Sequence, residues 1–261
     1  MPLTDVAGKA TALYEARRNR RPIEPFTDTD PGLGMADGYA IARQLTAMLV
    51  NDGDTVIGYK VGLTSKPMQQ LIGVDSPDHG PVLGSTVYAD GDTVSLSHFI
   101  QPKIEAEIAF ILGSDLRGPG VTVPDARRSI AGMVAAMEIV DSRFADWRIR
   151  LADTVADLAS NGAVAVSSRQ VSLDGLDPRL IGMVLTRSGV LVDTGAGAAA
   201  LGDPVAVLAW LANTLGEVGV GLEAGQLIMT GALHAAVSMQ AGDVYLAEFD
   251  RLGPVSVRVV D

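Results

Sequence analysis

The segment 104–110, IEAEIAF, is the part of this chain that most restricts how it can fold. A short run rich in Ile and Phe predicts a β-strand, and the two-residue period of a strand places Glu105 and Glu107 on one face and the apolar side chains on the other. If the glutamates face solvent, they form an ordinary hydrated edge, which is the commoner environment for Glu. If they face inward, two buried negative charges require a cation between them.

From residue 55 onward, short β-type runs separated by Gly, Pro and Asp predict a sheet-dominated body rather than regular helix–strand alternation. The expected strands, besides 104–112, are 56–63, 84–88, 93–96, 133–140, 163–167, 182–187, 190–195, 226–230, 243–249 and 255–260. A long polar loop, 64–81, is expected after the first strand and to hold a short helix at 68–72. Helices are expected at 124–130 and 148–157, and after Asp203-Pro204, an N-cap followed by a proline at the first helical position.

Two N-terminal helices are predicted at 4–21 and 35–50 from the helical spacing of their apolar residues. Thr4-Asp5 is a suitable N-cap for the first helix, and Pro22 ends it. We therefore expect a helical cap, residues 1–53, packed on a β-rich catalytic domain, residues 54–261, as one structural unit.

The composition limits the partners and the compartment. The longest apolar runs are well short of the ~20 residues that a membrane span needs, and the N-terminus lacks a signal-type apolar core, so we expect a cytoplasmic protein that does not bind a membrane. A net charge of −11 with only four lysines leaves no basic stripe for nucleic acid. A small anionic substrate would need local attraction from a metal or from Lys60, Lys66 or Lys103.

Three glutamates are candidate metal ligands. Glu138 lies at the centre of an otherwise apolar run, where a lone carboxylate is unexpected. Because the chain has no Cys, any metal must be held by oxygen or imidazole. Glu105, Glu107 and Glu138 together would form an all-oxygen site suited to Mg²⁺ or Mn²⁺. The residues leave open the alternative that Glu138 pairs with Arg127 or Arg143.

Five segments carry a resemblance to a known family. They are, in order, 58–65 (GYKVGLTS), 77–80 (PDHG), 103–110 (KIEAEIAF), 136–143 (AMEIVDSR) and 157–162 (DLASNG). In residue type and spacing the chain resembles the 2-hydroxypentadienoate (2-oxopent-4-enoate) hydratases of the fumarylacetoacetate hydrolase superfamily, which also contains the 4-oxalocrotonate decarboxylases. The match covers nearly the whole chain.

The resemblance implies an α+β fold, a mixed β-barrel or roll of the fumarylacetoacetate hydrolase type with an N-terminal helical cap. It implies a homo-oligomer with Mg²⁺ or Mn²⁺ held by Glu105, Glu107 and Glu138, and a substrate whose pyruvate-like end chelates the metal. The turn 232–234 departs from the smaller, more polar turn common in the family, and His234 in it could shape the distal end of the site.

Hydration of a 2-hydroxy-2,4-dienoate requires a proton to move to carbon and water to add at the β-carbon of the resulting unsaturated ketone. A metal would stabilise the C2 enolate, and an acid/base pair would move the protons. Lys60 and Asp78 are the candidates, because a lysine in an apolar strand near a cation has reason to titrate low and an aspartate in a Gly/Pro loop can reach it. A snorkelling surface lysine and a turn-forming aspartate are the alternatives.

Five residues are candidate substrate contacts. His79 adjoins Asp78, although a solvent-facing loop histidine would have the same pattern. Ser160 and Asn161 can donate hydrogen bonds, although Ser-Asn-Gly is also a common turn. Thr230-Gly231 matches a Thr-Gly pair that lies near the substrate carboxylate in the family.

The resulting hypothesis is a hydro-lyase that converts a penta- or hexadienoate to a 4-hydroxy-2-oxo acid in the meta-cleavage catabolism of aromatic or steroid rings. The first alternative is a decarboxylase of a 2-oxo-3-enedioate, which needs a cationic group at the distal end of the pocket. Acylpyruvate hydrolysis and a non-catalytic oligomeric scaffold are further possibilities. A pathway aldolase is expected as a partner by analogy only.

Overall fold

The structure is a computed structural model that describes residues 4–66, 69–70 and 74–261. The α-helices in these ranges are α1 (Val6–Asn19), α2 (Phe26–Thr29), α3 (Met35–Asn51), α4 (Val123–Ser129), α5 (Leu151–Ala156) and α6 (Pro204–Glu217). The strands are β1 (Val56–Gly62), β2 (Asp78–Leu83), β3 (Val87–Ala89), β4 (Thr93–Ser95), β5 (Lys103–Leu112), β6 (Ile130–Val140), β7 (Asn161–Val166), β8 (Gly182–Arg187), β9 (Val190–Ala196), β10 (Leu227–Met229), β11 (Val237–Ser238), β12 (Val244–Phe249) and β13 (Gly253–Val260). The short helix expected at 68–72 falls outside the described residues, apart from 69 and 70.

Two mixed sheets form the body. The larger sheet has eight strands in the order β2-β1-β10-β5-β6-β7-β3, with β11 also paired to β5, and the smaller has five in the order β4-β13-β12-β8-β9. In the part of the chain that the structure describes, no pairing joins β2 to β3, so the larger sheet is an open roll and not a closed barrel. The expected α+β roll with helices at its N-terminus is confirmed.

Strand β5 has the two faces that its sequence predicts. Ile104, Ala106 and Ile108 are fully buried in the main core, which fills the space between the larger sheet, the smaller sheet and α6. Full burial of one Ile side chain stabilises the fold by about 1.5–3 kcal/mol. Because register and face are linked in a strand, this apolar set directs Glu105 and Glu107 to the other side of the sheet.

That other side is the inside of the roll. A small apolar cluster there joins Val82 of β2 to Val164 of β7, which are far apart along the strand order but close in space. Ala109 and Ala136 lie between them on the central strands. Small side chains at these central positions let the sheet curve tightly around its interior.

The helical cap packs on the segment that follows β6. Leu13 of α1 and Ile41 of α3 share a buried cluster with Phe144 and Ala152. Gly38, which lowers the helix propensity of α3, is required by this packing, because a Cβ there would lie 2.8 Å from the carbonyl oxygen of Ala152. Both N-terminal helices are confirmed, and the division at residue 53 stays a prediction.

The sequence-based prediction was wrong about β2, because it placed residues 78–81 in a loop. Gly80 and Pro81 disfavour a strand interior. Since β2 is at the edge of the sheet, the missing N–H of Pro81 leaves no partner unsatisfied, and the strand pairs with β1 on its other side. The strand predicted at 84–88 is instead a 3₁₀ turn, Gly84–Thr86, followed by β3.

One helical stretch, Gly197–Glu217, is long and apolar enough to cross a membrane by length and composition alone. Val207, Leu208 and Leu211 within it are fully buried in the main core. Burial of these side chains in the main core explains why the stretch is apolar.

Candidate active site

A cavity of about 220 Å³ opens on the inside of the roll and contains the three predicted metal ligands. Antiparallel pairing of β5 and β6 places Glu105 directly opposite Glu138, and Glu107 opposite Ala136. One carboxylate oxygen from each of Glu105, Glu107 and Glu138 lies within 4.8 Å of the others. Three carboxylates on two adjacent strands therefore converge at one point.

The three carboxylates of this cluster repel one another when they are ionised. Burial, together with the neighbouring charge of Glu138, raises the pKa of Glu105 to about 7. Burial also raises the pKa of Glu107 and of Glu138. One oxygen of Glu107 (Oε1) and one of Glu138 (Oε2) are buried without a hydrogen-bond partner in the part of the chain that the structure describes. A hard divalent cation fits this donor set, because it would neutralise the repulsion and occupy the unpartnered oxygens.

Lys60 lies beside the cluster. Its Nζ atom is 3.4 Å from Oε1 of Glu138 and donates a hydrogen bond of 2.9 Å to the carbonyl oxygen of Ala159. Burial lowers the pKa of Lys60, but the carboxylates of Glu138, Asp78, Glu105 and Glu107 outweigh burial and raise the pKa above its ordinary value. Without a cation the carboxylates therefore keep the proton on Lys60, and the expectation of a low pKa near a cation stays a prediction.

Asp78 reaches the cavity from the first position of β2. It is buried, and burial raises its pKa, although Lys60 and the backbone N–H of Gly62 partly oppose this. Its Oδ1 atom has no hydrogen-bond partner within the described ranges. An ideal Cβ on Gly62 would lie 2.3 Å from Oδ1 of Asp78 and 3.0 Å from Nζ of Lys60, so both groups depend on the missing side chain.

A left-handed turn supplies a further part of the wall. Leu158, Ala159 and Ser160 have φ angles of 56°, 53° and 54°, a region that residues other than glycine seldom adopt. The turn directs the Ala159 carbonyl at Lys60 and places Ser160 on the cavity. Such backbone is characteristic of functional sites, where the surroundings must compensate for its energy. The sequence gives no signal for this turn.

Three of the predicted substrate contacts form hydrogen bonds that hold the candidate metal ligands or the strand that carries them, and their contact with substrate stays a prediction. The Nδ2 of Asn161 donates to Oε1 of Glu138 at 2.9 Å, and the backbone N–H of Gly231 donates to Oε2 of Glu107 at 2.8 Å. The hydroxyl of Thr230 donates to the carbonyl of Ile108 at 2.7 Å, which fixes the strand that carries Glu107. These contacts orient the ligands, as supporting residues do in many metal sites.

His79 is not brought together with the other candidates. Its ring stacks on Tyr39 with 4.6 Å between centroids and faces a separate cavity of about 520 Å³ behind β2. Burial lowers the pKa of His79 to about 4, so the ring is neutral. Alternation along β2 explains this, since Asp78 and His79 must point to opposite faces.

Two further residues lie on the cavity wall: Lys103, which the sequence suggested only as one of three lysines that could attract an anion, and Trp147. The Nζ of Lys103 lies 4.2 Å from the centroid of the Trp147 ring, which is within cation–π range. The indole N–H of Trp147 donates to the carbonyl of Gln101 at 3.1 Å and is thereby fixed. Lys103 could be expected from its position, because it precedes Glu105 by two residues on the same strand face. Trp147 follows no recognisable pattern.

His234 lines the cavity, as the sequence suggested. Its Nε2 accepts a hydrogen bond of 2.8 Å from the N–H of Ala106, so its Nδ1 carries the proton and donates to the carbonyl of Ala235 at 2.6 Å. Burial lowers the pKa of His234. The ring is thus a fixed neutral wall beside β5.

The alternative partner for Glu138 is wrong. Arg143 donates to Asp157, with 2.6 Å between Nε and Oδ1, and lies 3.7 Å from Asp141. Arg127 donates to the backbone carbonyls of Leu173 and Leu176. Neither arginine pairs with Glu138.

Comparison with known proteins assigns the family. The model of the family described as fumarylacetoacetate (FAA) hydrolase C-terminal matches residues 66–260. The chain belongs to the fumarylacetoacetate hydrolase family. The family expected from the five sequence segments is therefore confirmed.

Several relatives resemble this fumarylacetoacetate hydrolase family member over almost their full length. The 2-keto-4-pentenoate hydratase of Paraburkholderia xenovorans (strain LB400) is 44% identical over 246 residues, which are 94% of this chain and 91% of the relative. The 2-hydroxyhexa-2,4-dienoate hydratase of Comamonas testosteroni is 39% identical, with 95% of each chain covered. The 4-oxalocrotonate decarboxylase from Pseudomonas putida G7, solved with magnesium and adipate, has a TM-score of 0.95 and 34% identity, covering 98% of this chain and 97% of that one.

Proposed function

We propose that the chain is a metal-dependent hydro-lyase that adds water to a short 2-hydroxy-2,4-dienoate, through its 2-oxo-3-enoate tautomer, to give a 4-hydroxy-2-oxo acid. The observation that carries this proposal is the convergence of three carboxylates with unpartnered oxygens beside Lys60 and Asp78. Similarity to known enzymes also supports this reaction, since the chain is 44% identical to a 2-keto-4-pentenoate hydratase. The reaction belongs to meta-cleavage catabolism of aromatic or steroid rings.

Glu105, Glu107 and Glu138 would hold Mg²⁺ or Mn²⁺. When bound, the ion would act as a Lewis acid that stabilises negative charge on the C2 oxygen of the substrate. The protein keeps the three carboxylates in place through Asn161 and Gly231. Preorganisation of this kind means that the site does not have to rearrange as charge develops.

Asp78 and Lys60 have different tasks in this proposal. Asp78 has a raised pKa and an unpartnered Oδ1 in the cavity, so it is suited to accept a proton from the dienol and return one to carbon. Lys60 is buried in the cavity with its Nζ atom 3.4 Å from Oε1 of Glu138. It is therefore placed to donate a hydrogen bond at the reacting end of the substrate.

The walls of the cavity favour a substrate with a short apolar tail. Val140, Ile149 and Ala235 line it together with the indole of Trp147. The hydroxyl of Ser160 lies 3.1 Å from that of Thr154, and both are on the cavity surface, where they can orient the attacking water. Pentadienoate and hexadienoate both suit these walls.

The test combines activity with metal binding. We expect Glu138→Gln and Glu105→Gln to abolish decay of the diene absorbance of 2-hydroxypentadienoate in the presence of Mg²⁺, while the circular dichroism spectrum stays native. Mn²⁺ binding, measured by calorimetry, should also be lost in both variants. The exposed Glu223→Gln is the control and should retain both properties. Full activity of the two cavity variants in metal-free buffer would refute the proposal, and an inactive wild-type protein at every pH would favour a non-catalytic scaffold.

A decarboxylase acting on a 2-oxo-3-enedioate is the second candidate, and Lys103 is the observation that favours it. In the described part of the chain, no carboxylate oxygen lies within 4.0 Å of its Nζ atom, so it could receive a second substrate carboxylate. Mass spectrometry of the product separates the two reactions, because one adds water and the other loses CO₂.

The remaining parts of the proposal concern assembly and location. We propose a cytoplasmic homo-oligomer that works beside an aldolase of the same pathway. Analogy with the family supports the oligomer and the aldolase partner. Burial of the apolar helix α6 inside the fold supports a location away from a membrane. Analytical ultracentrifugation and co-purification with the aldolase test the two associations.

A further inference from the structure

A second cavity, of about 290 Å³, lies outside the roll where the end of α1 meets the segments before β5 and after β6. Four arginines line it: Arg17, Arg18, Arg20 and Arg143. In a chain with a net charge of −11, four guanidinium groups around one cavity are an unusual concentration of positive charge. The hydroxyl-bearing residues Ser85, Thr86 and Tyr88, the imidazole of His98 and the carboxylate of Asp141 complete its polar lining.

Three of these four arginines have no carboxylate partner among the described residues. Arg143 is paired with Asp157, but among the residues that the structure describes no carboxylate oxygen lies within 4.0 Å of Arg17, Arg18 or Arg20. The other arginines that pair with a carboxylate in the described ranges do not line this cavity. Positive side chains are common in the last turn of a helix, because they complement its dipole, but the dipole does not account for their convergence with Arg143 on one cavity.

Arg17 is the clearest case. It is half-buried, and its guanidinium donates only to carbonyl oxygens, at 3.2 Å to Asn161 and 3.5 Å to Gly162. Burial and the nearby charge of Arg143 lower its pKa to about 10. Asp157, Asp141 and Asp54 attract Arg17, but among the described residues no carboxylate oxygen lies within 4.0 Å of it. A partly desolvated cation without a counter-charge in contact is costly, and an anion in the cavity would lower that cost.

The acidic groups nearby are already engaged. Asp141, the one carboxylate on the cavity wall, accepts backbone N–H groups from Ile100 and Gln101, the latter at 2.7 Å. Asp52 accepts a short hydrogen bond from Tyr14, whose hydroxyl in turn accepts from Arg18 at 3.3 Å. The cavity therefore retains an excess of positive charge.

We propose that this cavity is a binding site for a small oxyanion, bound by the forked guanidinium groups of Arg17, Arg18 and Arg20. Planar guanidinium groups match carboxylate and phosphate oxygens in bidentate geometry, so the ligand belongs to one of these two classes. The site is separate from the carboxylate cavity, and it does not depend on the proposed hydratase activity.

The test is calorimetric titration of the Mg²⁺-loaded full chain with inorganic phosphate and, separately, with succinate, at constant ionic strength. We expect saturable binding of one of them, and the one that binds identifies the ligand as a phosphate compound or a carboxylate. Removing one charge-assisted hydrogen-bond donor is expected to weaken binding about tenfold in Arg17→Gln. Because Arg17 is half-buried, the exposed Arg20→Gln is a second variant that should show the same weakening and keep the native fold.

Arg128→Gln is the matched control. Arg128 is 72% exposed and already paired with Asp125, so its loss changes net charge equally without touching the cavity. Equal weakening in this variant, or no saturable binding of either anion at about 10 mM, would overturn the proposal. A change of oligomeric mass in Arg20→Gln, measured by sedimentation, would also overturn it, because the cavity would then be covered by a second copy of the chain.

Discussion

Gly62 illustrates how a single missing side chain creates the reacting end of the site. It pairs with Asp78 across β1 and β2, and the space where its Cβ would lie is shared by the Asp78 carboxylate and the Lys60 ammonium group. Real Cβ atoms do not approach another atom to 2.3 Å, so any side chain here would move Asp78. The position of a proposed proton carrier is thus fixed from the neighbouring strand.

We expect Gly62→Ala to lower kcat/KM for 2-hydroxypentadienoate about 10- to 100-fold, because a shift of about 1 Å in a catalytic group has effects of this size. Mn²⁺ affinity should change much less, since the three metal ligands lie on other strands. Steady-state kinetics and calorimetry measure the two quantities. Gly182→Ala is the control, because a Cβ at that strand position meets no atom within 4 Å. An unchanged kcat/KM in Gly62→Ala would contradict the role of Asp78.

Residue types indicated the cluster of three carboxylates more clearly than they indicated its hydrogen-bond partners. Glu105, Glu107 and Glu138 could be identified because carboxylates in apolar strands violate an ordinary pattern. Asn161 and Gly231 were selected as substrate contacts, and in the structure they donate hydrogen bonds to Glu138 and Glu107, two of the candidate metal ligands. The distinction depends on which atom each donor reaches, and this follows from strand register and turn geometry, which residue types alone do not define.

At the scale of secondary structure elements, the packing of α3 on α5 is unusually close. A glycine in a helix interior costs about 1 kcal/mol relative to alanine, so Gly38 weakens α3 when considered alone. Contact with the Ala152 carbonyl and the Val155 side chain requires it nonetheless. Since α5 leads into the left-handed turn at 158–160, this contact also supports the wall of the active-site cavity.

We expect Gly38→Ala to lower the free energy of unfolding by about 1–3 kcal/mol, because overpacking outweighs the gain in helix propensity. Urea denaturation followed by circular dichroism measures this change. The exposed Ala47→Gly in the same helix gauges propensity alone and should cost about 1 kcal/mol. A gain in stability for Gly38→Ala would show that the two helices can separate without cost.

Elements with strong periodicity were predictable, and those shaped by tertiary contacts were not. The long helices and the central strands follow from apolar spacing and from caps such as Asp203, whose side chain accepts from the N–H of Val205 at 2.9 Å. Edge strand β2 and the left-handed turn at 158–160 lack a local signal. Gly80 is needed in β2 because a Cβ there would lie 2.1 Å from the Leu158 carbonyl, a contact that no sequence pattern indicates.

For the molecule as a whole, the acidic cluster makes stability depend on pH and metal. The folded-state pKa of Glu105 is raised to about 7, above its ordinary value near 4.5. The metal-free protein therefore has its full stability below about pH 4.5 with respect to this group, and loses that contribution as pH rises through 7. A divalent cation binds the ionised form and reverses the loss.

We expect saturating Mg²⁺ to raise the Tm more at pH 8 than at pH 6, because protons compete with the cation at the lower pH. Differential scanning calorimetry with and without MgCl₂ measures this. Glu138→Gln removes one of the charges, so it should reduce both the rise in Tm caused by Mg²⁺ and the pH dependence of that rise. Equal Tm shifts at the two pH values would indicate that the cluster is not the site of binding.

The register that places Glu105 opposite Glu138 also affects how the chain reaches its native state. A slip of one residue between β5 and β6 would separate the charges but would turn the carboxylates into the apolar core, so the native pairing has no competitor of similar energy. Like charges directly across two strands nevertheless oppose that pairing. We therefore expect β5 and β6, the two longest of the described strands, to pair more slowly where both carboxylates are ionised. Protonation or binding of a cation would remove this barrier and would couple the completion of folding to the ion that the proposed reaction needs.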